Sequence, residues 1–374
     1  MQVIPGLDRG GGAEESLAVI APFLVAEGVE LHVATLTDRR DLVGRLEADG
    51  VVTHDVSGPA GALRTASRLR ALLEQTRPDI VHSTLFEADV ATTLAGTGLG
   101  LARLTTWAST PFAPERHDEP GLDHRKLALV RAIDRWSARW SQTEFQAVTP
   151  GVAAENARAL RIDPARVHVA ERARLDPGDV PPEGRRDARR VLGLEPEAPV
   201  ILCVARHVPQ KGLDRLIPEF DIVRAAHRSA LLLIAGAEGP ITPTLRSLAA
   251  GGRGGVELLG HRGDVDVLMT AADVVVSASR CEGAAGAVIE AMSRQRPIVA
   301  TDVRGLRGVL VDGHNARVVG RDRGALGQAL VDLLADDQLS ERLGQEARRS
   351  FVDRFLPERA ASDLISIYRR MART

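Results

Sequence analysis

Glu282 and Glu290 stand with seven residues between them in the stretch Ser279-Arg-Cys-Glu282-Gly-Ala-Ala-Gly-Ala-Val-Ile-Glu290-Ala-Met292. Carboxylates suit neutral polyols, because each can accept from two hydroxyls. The small residues between them let a ligand approach the backbone. Upstream, Val204-Ala-Arg206-His-Val-Pro-Gln-Lys211-Gly212 places two cations after an apolar run. Arginine offers a planar fork and lysine a compact point charge, and such a pair can neutralise a diphosphate. Taken alone, the cations read as a solvated loop. Taken alone, the glutamates read as a helix-start residue favoured by the macrodipole plus one on a solvated face. Together the two stretches predict half of a site for a sugar nucleotide, with cations for its diphosphate and carboxylates for its hydroxyls.

Such a site needs elements to hold it. Short β-branched runs alternate with helical periodicity along the chain. Strands are predicted at Leu31–Thr35, Ile80–Ser83, Arg103–Thr106, Gln146–Thr149, Val167–Ala170, Val200–Ala205, Leu231–Ala235, Val256–Leu259, Val274–Ser277, Pro297–Ala300 and Arg317–Val319. Helices are predicted at Glu14–Glu27, Ala62–Gln75, Lys126–Arg139, Leu213–His227, Ala287–Arg294, Ala325–Leu334 and Pro357–Arg373. This alternation implies parallel sheets covered on both faces. The first strand is short, with only Gln2-Val-Ile4 before Pro5. The polar, Pro-rich segment Asp176–Arg186 reads as an interdomain linker between two doubly wound halves. Ligands of such sheets bind at the carboxyl ends of the strands. Arg206 and Lys211 follow one predicted strand, and Glu282 follows another. Glu290 lies about one turn into the next helix, whose first amides form a natural anion site.

Composition narrows the function. The chain has 374 residues, which suggests two domains at roughly 100–200 residues each. Its net charge of −2 supplies no global field to recruit nucleic acid. No uninterrupted apolar run is long enough to span a bilayer, and the N-terminus lacks the pattern of a signal peptide, so a cytoplasmic chain is the simplest expectation. Cys203 and Cys281 lack metal-ligand spacing. Of 48 basic residues only Lys126 and Lys211 are lysines, which fits a lysine kept at Lys211 for its compact charge.

Other segments are less specific. Arg9-Gly10-Gly11-Gly12-Ala13-Glu14 opens a helix and reads either as a phosphate-cradling turn or as a plain tight turn. His82 ends a strand and could face a cleft, although a lone histidine is more often a packing residue. The segment Leu122–Trp140 carries Arg125, Lys126, Arg131, Arg135 and Arg139 with Trp136 and Trp140. A basic amphipathic helix of this kind could touch a membrane surface peripherally. A domain helix with a core stripe and a solvated face is the reading preferred here.

These residues resemble those of the retaining glycosyltransferases of family 4. The resemblance runs through Val204–Gly212, Leu232-Leu-Ile-Ala-Gly236, Leu258-Leu-Gly-His-Arg-Gly-Asp264, Ala271-Ala-Asp273, Glu282–Met292 and Pro297–Asp302. It implies an α/β chain of the GT-B fold, with two facing Rossmann-like doubly wound domains. The expected division is an acceptor domain over 1–176, a nucleotide-sugar domain over 177–356, and a terminal helix over 357–374 that packs back on the first domain. The implied activity is transfer of a hexose from a UDP- or GDP-linked donor to an acceptor hydroxyl. The anomeric configuration would be retained, with no metal and no cofactor beyond the donor itself. By position, Arg206 and Lys211 would bind the diphosphate. Glu282 would hold the sugar with the amides of Ala284, Ala285 and Gly286, and Glu290 would hold the ribose. His261 and Arg262 would contact the base, and Gly11 and Gly12 would approach the diphosphate. His82 stands where members often carry a histidine. Ala108 stands where many carry a second one near the sugar. An epimerase on the same fold, or a non-catalytic partner of an active transferase, are the alternatives. The acceptor is not readable.

Overall fold

The computed structural model describes residues 1–9, 11–58, 61–119, 121–140, 143–178 and 182–372. Gly10 of the glycine-rich turn, residues 179–181 of the predicted linker and Arg373 lie outside the described residues, as do the side chains of Arg139 and Trp140. The chain forms two compact units. One gathers Met1–Phe112, Asp123–Leu175 and Arg354–Thr374, and the other gathers Ala113–Leu122 and Asp176–Asp353.

The first unit is built on seven parallel strands: β1 (Gln2–Ile4), β2 (His32–Thr35), β3 (Val52–Asp55), β4 (Ile80–Thr84), β5 (Ala102–Trp107), β6 (Thr143–Ala147) and β7 (Val167–Val169). Their spatial order is β3-β2-β1-β4-β5-β6-β7. The second unit has six: β8 (Val200–Val204), β9 (Leu231–Ala235), β10 (Val256–Gly260), β11 (Val274–Ser277), β12 (Ile298–Thr301) and β13 (Arg317–Val319), in the order β10-β9-β8-β11-β12-β13. All pairings are parallel, as expected of apolar runs covered on both faces. Each sheet reverses its winding once, between β1 and β4 or between β8 and β11. In folds of this type the ligand crevice opens beyond the carboxyl ends of the strands at that reversal.

Helices hold the second sheet through a stripe of period near four. Leu213, Leu216, Ile217, Phe220 and Val223 of helix Leu213–Ala226 are buried with Ile201, Leu232, Ile234 and Val276. Burying each such side chain is worth about 1.5–3 kcal/mol. Glu219 on the same helix is buried, and its Oε2 accepts from the amides of Leu326 and Gly327 at 2.9 and 3.1 Å. It thereby satisfies the first amides of helix Ala325–Ala335. In the first unit the terminal helix Pro357–Met371 packs on helix Gly12–Ala26, with Ala361, Leu364 and Ile365 in one cluster with Leu17, Ala21 and Leu24.

Several sequence expectations are corrected. The strand predicted at Gln146–Thr149 lies at Thr143–Ala147. Thr149 is instead the N-cap of helix Pro150–Leu160, its hydroxyl accepting from the Val152 amide, with Pro150 in the first turn. The edge strand β3 and helix Phe86–Ala95 join the predicted elements. The end of the predicted linker is taken up by helix Pro182–Val191. The helix predicted around Leu122–Trp140 forms over His124–Trp140, but among its described side chains the apolar residues are only partly covered. Leu129, Ile133 and Trp136 are exposed, because part of this helix borders a cavity rather than a packed core.

Candidate active site

The loops after β8 and β11 flank the reversal of the second sheet, and they carry the predicted cation and carboxylate. Lys211 ends the short 3-10 turn Pro209–Lys211, and Glu282 lies between β11 and helix Gly286–Ser293. Predicted to grip different parts of one ligand, the two side chains here grip each other. Lys211 Nζ donates to Glu282 Oε1 at 2.5 Å, and Ser279 Oγ donates to the same oxygen at 2.5 Å. Glu282 is 6% exposed, and a buried polar group needs such partners. An ammonium has three protons, so one bond to Glu282 leaves two for a further acceptor.

The two loops are stitched together by groups to which the sequence assigns no role. Arg280 is buried and clamps Asp214 through both terminal nitrogens, each at 2.8 Å. It also donates to the Pro209 carbonyl at 2.6 Å. Burial works to raise the Asp214 carboxyl, but the hydrogen bonds and charge of Arg280 prevail and hold it below the usual range. The Arg280 amide donates to the Gln210 carbonyl at 2.8 Å, and Gln210 Nε2 returns a bond to the Cys281 carbonyl at 2.9 Å. Two glycines permit the close approach. A Cβ on Gly212, whose φ is +65°, would stand 2.1 Å from the Ala278 carbonyl oxygen, and one on Gly305 would stand 1.9 Å from that of Glu282. Arg280 lies two residues before Glu282 in the sequence, but only contact across 66 residues reveals its partner.

The remaining predicted donor residues are distributed as follows. Ala284 is buried, and Ala285 is left-handed at φ +38°, a conformation that costs roughly 1–3 kcal/mol for a residue with a side chain. It turns the chain into helix Gly286–Ser293, whose first backbone bond runs from Val288 to the Ala285 carbonyl. The amides of Gly286 and Ala287 therefore precede the intrahelical ladder. Glu290 is half-buried one turn into this helix. Arg206 is exposed in the β8 loop, and its guanidinium has no acceptor among the described residues. His261 and Arg262 follow β10 at the sheet edge, two strands from β8. Arg262 is paired with Asp264 at 2.7 and 2.5 Å, which lowers the Asp264 carboxyl. Among the described residues no group of three or more His, Cys, Asp or Glu side chains could hold a metal ion. No helix among them is long and apolar enough to cross a membrane. Cys203 and Cys281 are buried and form no disulfide, and burial pushes the Cys203 thiol up to about 12.

In the first unit, His82 is buried at the sheet's reversal, with both ring nitrogens engaged. Nδ1 lies 2.7 Å from the Tyr368 hydroxyl and Nε2 lies 2.6 Å from Thr106 Oγ1. The protons can be ordered from one end. The Ala170 carbonyl can only accept, so Gln146 Nε2 donates to it at 2.6 Å and presents Oε1 to the Thr106 hydroxyl at 2.7 Å. Thr106 then accepts from His82 Nε2–H, Nδ1 accepts from Tyr368, and Tyr368 accepts from Gln2 Nε2 at 3.2 Å. Burial lowers the His82 pKa to about 3, in keeping with a neutral ring. His82 also borders a cavity of about 60 Å³ shared with Thr84 and Ser16. At the glycine-rich turn, a Cβ on Gly11 would meet Glu14 Oε2 at 2.2 Å, and one on Gly12 would meet Arg172 Nη1 at 2.8 Å. Glu14 thus folds its carboxylate over the start of helix Gly12–Ala26, where an anion is favoured. Ala108, just past β5, lines a larger cavity of the same unit.

Comparison with known proteins accounts for both units. A family profile described as Glycosyltransferase Family 4 matches residues 10–173, and one described as Glycosyl transferases group 1 matches residues 198–336. An alpha-D-kanosaminyltransferase of Streptomyces kanamyceticus is 29% identical over 70% of this chain and 71% of its own length. A D-inositol 3-phosphate glycosyltransferase of Jonesia denitrificans is 26% identical over 98% of this chain and 92% of its own. Among solved structures, Anabaena HepE in complex with UDP-glucose superposes with a TM-score of 0.80 at 17% identity, covering all of this chain and 98% of that one. With both halves matched and the whole fold shared, the chain is a glycosyltransferase of family 4 with the GT-B fold.

Proposed function

We propose that this glycosyltransferase moves a sugar from a UDP- or GDP-linked donor to an acceptor hydroxyl, retains the anomeric configuration and needs no metal or other cofactor. The observation that carries the donor reading is the joining of Lys211, Ser279 and Glu282 by the two loops that flank the reversal of the second sheet. A nucleoside diphosphate in that crevice would take the remaining protons of Lys211, the guanidinium of Arg206 and the helix-start amides near Ala285 and Gly286. Glu282, held beside Lys211 and Ser279, would meet the sugar hydroxyls, with Ala284 beside it. Glu290 would meet the ribose, and the loop at His261 and Arg262 the base. Gly11 and Gly12 would approach the diphosphate once Glu14 swings aside. The relatives support the donor class, since HepE was solved holding UDP-glucose.

The costly step breaks the bond between the anomeric carbon and the diphosphate oxygen. Negative charge grows on that oxygen while the ring becomes oxocarbenium-like. Lys211 and Arg206 would stabilise this leaving charge, an effect typically worth roughly 3–4 kcal/mol per preorganised donor. The acceptor oxygen bonds to the anomeric carbon on the same face, and its proton passes to the leaving phosphate. The products are a glycoside and a nucleoside diphosphate. Cations in place make a divalent ion unnecessary in this scheme, and no protein base is required. Steady-state transfer tests it: Lys211→Ala should lower turnover about a hundredfold to a thousandfold, and wild-type turnover should persist in a chelator. Activity of Lys211→Ala within a few-fold of wild type sinks the assignment. An inverted product, read by proton NMR couplings, sinks retention.

A further inference from the structure

A cavity of about 490 Å³ opens in the first unit at the carboxyl end of β5, bordered by helices Phe86–Ala95 and His124–Trp140. That volume is typical of small-molecule sites, roughly 300–1,000 Å³. Its wall is mainly apolar, with Trp107 and Phe145 stacked at 4.5 Å between ring centroids and Val90 and Leu160 beside them. At its rim Phe86, Leu94, Ile133 and Trp136 are large hydrophobic residues left exposed. A bare sugar has little to offer such a wall, since burying its hydroxyls there costs free energy unless each finds a partner.

Two polar atoms inside break the apolar pattern. Asn156 is 2% exposed and spends its Nδ2 on the Ser109 carbonyl at 2.9 Å, while its Oδ1 has no donor among the described residues. Asp89 Oδ1 is likewise buried without a donor. A buried acceptor left unmatched costs about 1–3 kcal/mol, which a ligand's N–H or O–H would recover. Burial pushes the Asp89 carboxyl well up and that of Asp134, also in the wall, to about 6. Both therefore sit where water is scarce and a hydrogen bond counts for more. Ala108 contributes only a methyl group to the wall, which leaves room beside β5.

We propose that this cavity receives the apolar body of the acceptor, whose hydroxyl or amine protons meet Asn156 Oδ1 and Asp89 Oδ1. The acceptor class is then an amphipathic molecule rather than a free sugar. This rests on the transferase reading above and narrows it.

Calorimetric titration of the full chain with n-octyl β-D-glucopyranoside below its micellar concentration tests the cavity. Octylamine serves as the amine arm and glucose as the arm without an apolar body. Octyl glucoside or octylamine should bind the wild type while glucose does not, and the tighter of the two identifies the donor group preferred. Val90→Trp, which fills the cavity, and Asn156→Leu, which removes the orphan acceptor, should each weaken that binding at least tenfold. If Val90→Trp fails to fold, Asn156→Leu decides alone. Equal binding of glucose, or wild-type binding by the folded variants, overturns the proposal. It is also overturned if neither amphiphile binds while Trp136→Ser abolishes cosedimentation with phosphatidylserine vesicles, for the rim would then be a membrane contact. Thermal shifts of the wild type with UDP-glucose and GDP-mannose are read separately. A donor shift without amphiphile binding defeats this inference alone, and amphiphile binding without any donor shift defeats the donor reading alone.

Discussion

The two sheets wind alike through their first six strands, yet they treat the point of reversal in opposite ways. In the second unit the loops beyond β8 and β11 are tied by ions, Arg280 with Asp214 and Lys211 with Glu282. In the first unit the partners across β1 and β4 are neutral: Gln2 and His82 are adjacent in register and share the Tyr368 hydroxyl. One topology therefore supports either a charged crevice or a sealed polar chain. The loops and the terminal helix decide which.

Cutting the ionic stitch should have the largest effect on stability. Arg280→Ala leaves Asp214 half-buried without its clamp and frees the Pro209 carbonyl, so unfolding free energy should fall by about 3–5 kcal/mol. Urea unfolding measures this, and a loss under 1 kcal/mol would show that the loops hold without it. The neutral chain responds to acid instead. The His82 pKa is about 3 when folded and about 6.5 when unfolded. Between those values the unfolded chain binds a proton that the folded chain refuses. The stability is complete above pH 6.5 and is lost as pH falls toward 3, by about 2 kcal/mol between pH 7 and pH 5. His82→Asn should flatten that part of the stability–pH curve whatever its absolute stability, and an unchanged slope assigns the acid sensitivity elsewhere. Tyr368→Phe should cost least, about 1–2 kcal/mol, because it removes one donor to His82 and one acceptor from Gln2. If it matches Arg280→Ala in unfolding, the contrast between the two reversals fails.

What could be read in advance depended on how far each signal lies from its partner. Strands β9, β11 and β13 have the predicted bounds, since an apolar β-branched run between turn residues specifies itself locally. The edge strand β3 shows only one apolar residue, Val52, which is exposed, so its pattern carries no buried face to detect. The misplaced β6 was decipherable, because Thr149-Pro150 is a helix-start signal that outranks the β-branched run before it. At the candidate site, the loop positions of Lys211 and Glu282 follow from strand–helix alternation. Their 2.5 Å contact, the Arg280–Asp214 clamp and the room denied to a side chain at Gly305 all arise between segments distant in sequence. The exposed stripe of helix His124–Trp140 misled because periodicity reports an apolar face but not what covers it.

The chain from Gln2 to Ala170 is polar in a second sense. Its first donor is a side-chain amide and its last acceptor is a peptide oxygen, so the five hydrogen bonds cannot run backwards. A relay must be able to reset in the opposite sense after each passage. This row works as a latch that holds the imidazole in one tautomer, and any proton moved during turnover must travel by another route.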